Sequence, residues 1–256
     1  MRLLIDIGNS RIKWALQQQG RLSSQQAMPH RGLTAQGLTT QEVIKEILQP
    51  CGAVEAVLIS NVAGDSIAAV LKQAIAEQHG FEPSFVTSMA EYTVKGRVLR
   101  NAYLQPSQLG VDRWLGLVAA RSLSADSVLV ISAGTAITLD AVNPQGQHLG
   151  GLIIPGLNLM KQSLLQGTSD LAYRSTRVNT SQSTPEFLAN NTLDGIQLGT
   201  IRAACTMIEM THRQLQQLSD TKIILTGGAA SELRQRLSVS SELIPDLVLQ
   251  GLALCD

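Results

Sequence analysis

Leu3-Leu4-Ile5-Asp6-Ile7-Gly8-Asn9-Ser10-Arg11-Ile12-Lys13 is the stretch on which the reading of this chain turns. Leu3, Leu4 and Ile5 form the apolar run of a short buried strand, and Gly8-Asn9-Ser10 interrupts it with a small polar turn. Beyond the turn Ile12, Trp14 and Leu16 alternate with Arg11 and Lys13, the period-two pattern of a return strand with one face on a core. The segment is therefore expected to be a β-hairpin that carries a carboxylate, Asp6, just before its turn. Gly8 lets the backbone approach a ligand closely, Asn9 and Ser10 offer hydrogen-bond donors, and Asp6 is of the type that holds Mg²⁺ beside phosphates. The same residues, taken alone, also suit a plain type I′ hairpin in which Asp6 is a turn former.

A second copy favours the ligand-binding reading. Val128-Leu129-Val130 is followed by Ile131-Ser132-Ala133-Gly134-Thr135-Ala136-Ile137-Thr138-Leu139-Asp140, again an apolar strand, a Gly-plus-hydroxyl turn and an alternating return. Gly134 stands 126 residues after Gly8, a shift that aligns Ile131 with Ile5 and Thr138 with Ile12. A later pair also matches: Val57-Leu58-Ile59-Ser60-Asn61-Val62 and Ile223-Ile224-Leu225-Thr226-Gly227-Gly228 each lead into a helical pattern. Each half thus reads as hairpin, then strand, turn and helix, and such repetition predicts architecture better than a single motif. Two halves of this kind, facing one another, would set two phosphate-binding turns across one cleft. Gly8 and Ser60 are 52 residues apart whereas Gly134 and Thr226 are 92 apart, so the second half is expected to carry an insertion over roughly 150–190. Such an insertion is a natural place for a substrate pocket.

Between these landmarks a third strand is expected within 17–40, a helix over 41–49 capped by Thr40, and a buried parallel strand over 54–60. A helix over 66–78, a strand at Phe85-Val86 and an edge strand over 92–99 follow. Pro106 and Gly110 mark a loop before a helix over 113–121. Asp112 stands at that helix's start, where the partial positive charge of the terminus keeps an acid ionised. Two readings stay open for it, a helix cap, or a general base that takes a proton from an attacking hydroxyl while Arg113 binds negative charge. A glycine-fenced strand over 150–156, a helix over 157–166 and a polar segment over 168–184, a candidate flap, come next, with a helix start at Thr184-Pro185-Glu186. The longest helical pattern runs over 194–218 and offers a broad apolar face for the core and for a subunit contact.

Composition limits the partners. The chain has 256 residues, 44% hydrophobic and 16% charged, as expected of a globular protein with one or two domains. Twenty basic residues balance twenty acidic ones, so neither nucleic acid nor an anionic membrane is an expected partner. Cys51, Cys205 and Cys255 lie far apart and are expected as free thiols of a reducing compartment; His30, His79, His148 and His212 are expected on the surface or in loops. No apolar run approaches the roughly 18 residues of a membrane span, and Asp6 interrupts the only N-terminal apolar stretch, so a cytoplasmic location is expected.

Taken together these stretches resemble one family, the type III pantothenate kinases of the acetate and sugar kinase, Hsp70 and actin superfamily. The resemblance lies in Asp6-Ile7-Gly8-Asn9-Ser10 with Lys13, in Tyr103-Leu104-Gln105-Pro106 leading to Leu109-Gly110-Val111-Asp112-Arg113, and in Gly134-Thr135-Ala136 with Asp140. It continues through Gly150-Gly151, Pro155-Gly156, Asn191-Thr192, Thr226-Gly227-Gly228 and the closing Pro245 to Leu252. It implies an α/β fold of two duplicated ribonuclease H-like (actin-like) domains, each a mixed sheet flanked by helices, with the active site in the cleft between them. The halves would be 1–115 and 116–256.

The implied activity is ATP-dependent phosphorylation of pantothenate to 4′-phosphopantothenate, the first step of coenzyme A biosynthesis. On that resemblance Asp6 would bind Mg²⁺, with Gly8, Asn9, Ser10 and Lys13 near the ATP phosphates, Gly134 and Thr135 forming a second phosphate loop, and Gly227 and Gly228 bordering the adenosine. Asp112 would deprotonate the pantothenate hydroxyl, while Tyr103, Gly110, Val111, Arg113 and Thr192 would shape the pantothenate site. A homodimer is implied as well. The family's second loop usually carries an Asp that helps bind K⁺ or NH₄⁺; here that position is Ser132, a neutral ligand, so the monovalent-cation requirement is expected to be weakened or its site rebuilt. A regulatory ATP-binding accessory protein of the same fold and another small-molecule kinase are the alternatives, and the Asp112-Arg113 pair argues against a pure binding module.

Overall fold

The computed structural model describes residues 1–29, 46–48, 54–166 and 187–255. Most of the helix expected over 41–49, the polar segment over 168–184 and the helix start at 184–186 lie outside the described residues. The chain divides into two compact units, one made of Met1–Ala125, Val142–Gly150 and Asp246–Asp256, the other of Asp126–Ala141 and Gly151–Pro245. The boundary drawn from sequence, between 115 and 116, falls inside a helix that belongs wholly to the first unit.

The first unit begins with β1 (Arg2–Ile7), β2 (Arg11–Gln18), β3 (Arg21–Leu22), β4 (Gln26–Pro29) and β5 (Ala56–Asn61), then α1 (Asp65–His79) and β6 (Ser84–Phe85). Its sheet has the order β3-β2-β1-β5-β6, with β4 also on β2; β1 is antiparallel to β2 and parallel to β5. β7 (Glu91–Val94) and β8 (Arg97–Arg100) follow, then α2 (Val111–Leu123). Sequence suggested one edge strand over 92–99. Lys95 and Gly96 (φ 48° and 74°) instead fold it into a hairpin that forms a separate two-stranded sheet. Gln19-Gly20, between β2 and β3, has the same paired positive φ. None of Gly8, Asn9 and Ser10 does, so the first turn is not the type I′ turn that remained open from sequence.

The second unit is built on β9 (Ser127–Ala133), β10 (Ala136–Val142) and β11 (His148–Pro155), then α3 (Leu157–Gln166), α4 (Thr192–Gln216), β12 (Thr221–Thr226), α5 (Ala230–Arg234) and β13 (Glu242–Leu243). Its sheet order, β11-β10-β9-β12-β13 with β12 parallel to β9 and β13 parallel to β12, repeats the order of the first sheet. The duplication read from sequence is therefore present, with one correction of phase. Gly8-Asn9-Ser10 joins the first pair of strands but only Gly134-Thr135 joins the second. Buried Ile12 thus corresponds to buried Ile137, not to half-buried Thr138, because one residue fewer in a turn flips every following side chain to the other face.

Strand alternation decides what each face of the first sheet meets. Leu3, Ile5 and Ile7 pack with Leu71 and Ile75 of α1 and with Ile47 and Leu48, which lie in a helical segment. Leu4 and Leu58 face the other way, against Val111 and Leu115 of α2 and Val248, Leu249 and Leu252 of α6 (Leu247–Ala253). Asp6 follows Leu4 on that second face. In the second unit Leu129, Ile131, Ile137 and Leu225 pack under Ile201, Ala204, Cys205 and Ile208 of α4, spaced three or four residues apart as one helical stripe requires.

α6 closes on α2 through Gly251, where an added Cβ would lie 2.0 Å from the Leu115 carbonyl oxygen. An exposed helical Gly→Ala change usually stabilises by about 1 kcal/mol. Here overpacking reverses the sign, and Gly251→Ala is expected to lower stability by on the order of 2 kcal/mol, measured by denaturant unfolding. A gain in stability would contradict this packing.

Candidate active site

The β-ladder sets the first group of side chains. Asp6 is opposite Lys13 on β2 and Ser60 on β5, so all three side chains share the face that packs on α2. Asp6 is only 5% exposed, and the Ser60 hydroxyl donates to its Oδ1 at 2.9 Å. Burial pushes its pKa up from the usual 3.8 to about 6; Lys13 opposes the shift, Asp112 adds to it and the Ser60 hydrogen bond opposes it. The neighbouring turn is closed by Gly8 N donating to the Arg11 carbonyl at 3.0 Å, and Asn9 at its tip is exposed. A buried carboxylate short of compensating charge, with a second carboxylate nearby, is a fitting ligand for a hard divalent cation.

The second group comes from the segment 101–113. The Asn101 side chain ties it down by donating to the Met89 and Pro106 carbonyls and accepting from Tyr103 N at 3.0 Å, and the Ser88 hydroxyl donates to the Leu109 carbonyl at 2.7 Å. Val111 opens α2 and Asp112 is its second residue, accepting from Arg113 N at 2.8 Å, one of the unpaired donors of the helix start. Gly110 leaves the room this needs, since a Cβ there would lie 2.8 Å from Asp112 Oδ1. Arg113 is buried at 8% exposure; its Nη1 donates to the Tyr103 hydroxyl at 3.0 Å, and Cζ is 5.7 Å from the Tyr103 ring centroid. The half-buried carboxylate of Asp112 therefore lies at the helix start within electrostatic reach of the buried Asp6, and the buried Arg113 follows it in the chain.

In the second unit Gly134 and Thr135 are exposed at the turn between β9 and β10, and Gly134 N donates to the Ala136 carbonyl at 2.9 Å. Gly156 N donates to the Thr135 carbonyl at 2.8 Å, and Ala229 N to the Ala133 carbonyl at 3.0 Å. Gly227, at φ 95°, lies so close that a Cβ would be 2.5 Å from the Ala133 carbonyl oxygen, while Gly228 beside it has open space. Gly134, Thr135, Gly227 and Gly228 are thus brought together. Ser132, on β9 opposite Thr226, corresponds in register to Asp6 opposite Ser60. Thr192 is the first residue of α4, inside the cap that Asn191 makes by accepting from Asp194 N at 3.0 Å.

Two residues escaped the sequence reading. Ser60 was visible only as a strand end, although the parallel pairing of two apolar runs that end in Asp6 and Ser60 was a usable signal. His148, expected on the surface or in a loop, is instead 1% exposed at the start of β11 and stacks on Tyr103, centroids 6.1 Å apart and planes 8° apart. Nothing periodic marks it, because loop packing buries it.

The Asp6 pKa carries a consequence for stability. Between 3.8 and about 6 the folded chain holds a proton that the unfolded chain has released, so stability falls as pH rises through that window. Asp6→Asn is expected to stabilise the ligand-free protein at pH 8 by on the order of 2 kcal/mol and to give no gain at pH 4, as thermal unfolding at both pH values would show. Destabilisation at pH 8 would contradict the geometry described for Asp6.

Comparison with known proteins places this arrangement. The family model for Type III pantothenate kinase matches residues 2–214. A Type III pantothenate kinase from Nitrosococcus oceani is 36% identical over 260 residues, covering 99% of this chain and 92% of that protein. One from Azoarcus sp. strain BH72 is 36% identical over 266 residues, covering 99% and 89%. Among solved structures, a candidate 2-dehydro-3-deoxygalactonokinase from Sinorhizobium meliloti is similar in fold, with a TM-score of 0.60 at 12% identity, covering 99% of this chain and 97% of its own. The fold is α/β with two duplicated, actin-like mixed sheets flanked by helices. Matched by the family model over most of its length, and by relatives from end to end, the chain belongs to the type III pantothenate kinase family.

Proposed function

We propose that the protein is a pantothenate kinase that transfers a phosphoryl group from ATP to the primary hydroxyl of pantothenate, giving 4′-phosphopantothenate and opening coenzyme A biosynthesis. Family membership supports the activity; Asp112, half-exposed at the mouth of α2 and within electrostatic reach of Asp6, is the observation that carries the mechanism. Asp112 accepts the proton of the attacking hydroxyl, whose oxygen bonds to the γ-phosphorus as the bond to ADP breaks. Arg113 offers positive charge to substrate or transferring phosphate, held in place by Tyr103. Gly110 and Val111 set the helix mouth, and Tyr103 and Thr192 are each assigned to pantothenate.

Asp6 would hold the Mg²⁺ that escorts ATP and neutralises phosphate charge. Among the described residues no three His, Cys, Asp or Glu side chains converge as a metal cluster, so phosphate and water would fill the rest of the shell, as Mg²⁺ favours. Lys13 and the Gly8-Asn9-Ser10 turn are assigned to the ATP phosphates, Gly134 and Thr135 to a second phosphate contact, and Gly227 and Gly228 to the adenosine edge. Ser132 brings no charge to a monovalent cation, and its strand partner Thr226 brings none either, which supports a weakened need for K⁺ or NH₄⁺. A cytoplasmic homodimer with α4 at its contact belongs to the same reading; among the described residues, no helix is long and apolar enough to cross a membrane.

Asp112→Asn is expected to lower pantothenate-dependent ADP release at least about a hundredfold in a coupled assay. Asp6→Ala is expected to abolish use of Mg·ATP while the circular dichroism of the fold is retained. ADP release that ignores pantothenate, or full activity of the Asn variant, would overturn the mechanism. In a buffer whose only monovalent cation is Na⁺ the chain is expected to keep most of its activity; inactivity there, restored by K⁺, would refute the reading of Ser132.

A further inference from the structure

Tyr103 has two neighbours of different kinds. The buried guanidinium of Arg113 reaches its hydroxyl at 3.0 Å, and the imidazole of His148 lies nearly parallel to its ring. His148 Nδ1 also accepts the Ala102 backbone N–H at a long 3.4 Å, so ring and loop are contacted together. The segment that delivers His148 is clamped in turn. Arg121 Nη2 donates to the Pro144 carbonyl at 2.9 Å, Arg100 N to the Gly146 carbonyl at 2.8 Å, and Gln147 N to Asn143 Oδ1 at 2.8 Å. Arg121 is itself buried and spends its other donors on the Val98 and Ala125 carbonyls. Leu104, next to Tyr103, is wholly exposed, so apolar packing of the loop tip does not fix the tyrosine ring.

We propose that His148 is a positioning residue for the acceptor site: its ring holds Tyr103, and Tyr103 sets the Arg113 guanidinium beside Asp112. The inference rests on the kinase reading above. Parallel aromatic stacking orients a ring without demanding charge, and a buried, clamped imidazole is a firmer platform than the exposed loop that carries Tyr103. His148 itself touches neither substrate nor phosphate in this account.

The test compares His148→Ala, His148→Gln and His148→Phe with the unsubstituted chain. Ala removes ring and acceptor, Gln keeps an acceptor without the ring, and Phe keeps the ring without the acceptor. Ala and Gln are expected to raise the KM for pantothenate on the order of tenfold with the KM for ATP changed less than about twofold, while Phe recovers most of the loss. In ¹³C-tyrosine NMR of the protein's three tyrosines, the Tyr103 ring signals should shift in Ala and Gln and stay nearly in place in Phe. Normal pantothenate KM in Gln, an equal rise in both KM values, or a Phe variant no better than Gln would each overturn the role given to His148 and leave the kinase reading standing. Absence of pantothenate-dependent turnover in the unsubstituted chain would overturn the kinase reading and the acceptor role with it, while the Tyr103 signals still decide the contact.

Discussion

A carboxylate placed where strand alternation calls for an apolar residue is the constraint that the first unit is built to tolerate. Asp6 continues the face of Leu4 and is almost completely buried, with only Lys13 opposite and the Ser60 hydroxyl to offset desolvation. The remaining imbalance is visible in its raised pKa, to which Asp112 contributes. Ligand-free, the protein carries this imbalance as lost stability; on the proposed reading a cation and phosphates would turn the same charge into the anchor. The helix that brings Asp112 near is positioned by the same sheet face, through Val111 and Leu115. Geometry of scaffold and electrostatics of site are thus one problem with one solution.

The duplication separates these demands. Both sheets repeat the same strand order, and in both a hydroxyl residue stands across the parallel ladder from the last residues of the central strand. Yet the first copy has Asp6 there and the second has Ser132. The turn of the second copy is held by backbone hydrogen bonds, Gly156 N on the Thr135 carbonyl and Ala229 N on the Ala133 carbonyl. One copy therefore concentrates charge while the other offers neutral amides and close-approach glycines.

Much of this was legible from residues alone, and the misses have physical causes. The hairpin around Asp6, the repeat at Gly134 and the helix behind Asp112 follow from local periodicity, which strands and amphipathic helices must obey. The phase of β10 did not, because a single residue fewer in the Gly134-Thr135 turn moves Ile137 into the place given to Thr138. The strand over 92–99 became a hairpin because Lys95 and Gly96 take positive φ, a property weakly written in that pair. His148 was misjudged for a different reason. Its burial goes with contacts from the loop around Asn101 and with the hold of Arg121 on the Pro144 carbonyl, residues distant in sequence whose hydrogen bonds no periodicity encodes. The polar segment over 168–184, given as a candidate flap, lies outside the described residues.

The closure of α6 on α2 has an implication for truncation. Arg2 donates to the carbonyls of Ala253 and Cys255, and Gly251 touches Leu115, so the first unit is completed by residues that follow the whole of the second unit in sequence. The second unit is in turn interrupted by 142–150, which belong to the first, so neither unit is one continuous stretch of chain. A chain cut short before Leu247 keeps both acidic groups but leaves Leu4, Leu58 and Leu115 without the covering of Val248, Leu249 and Leu252.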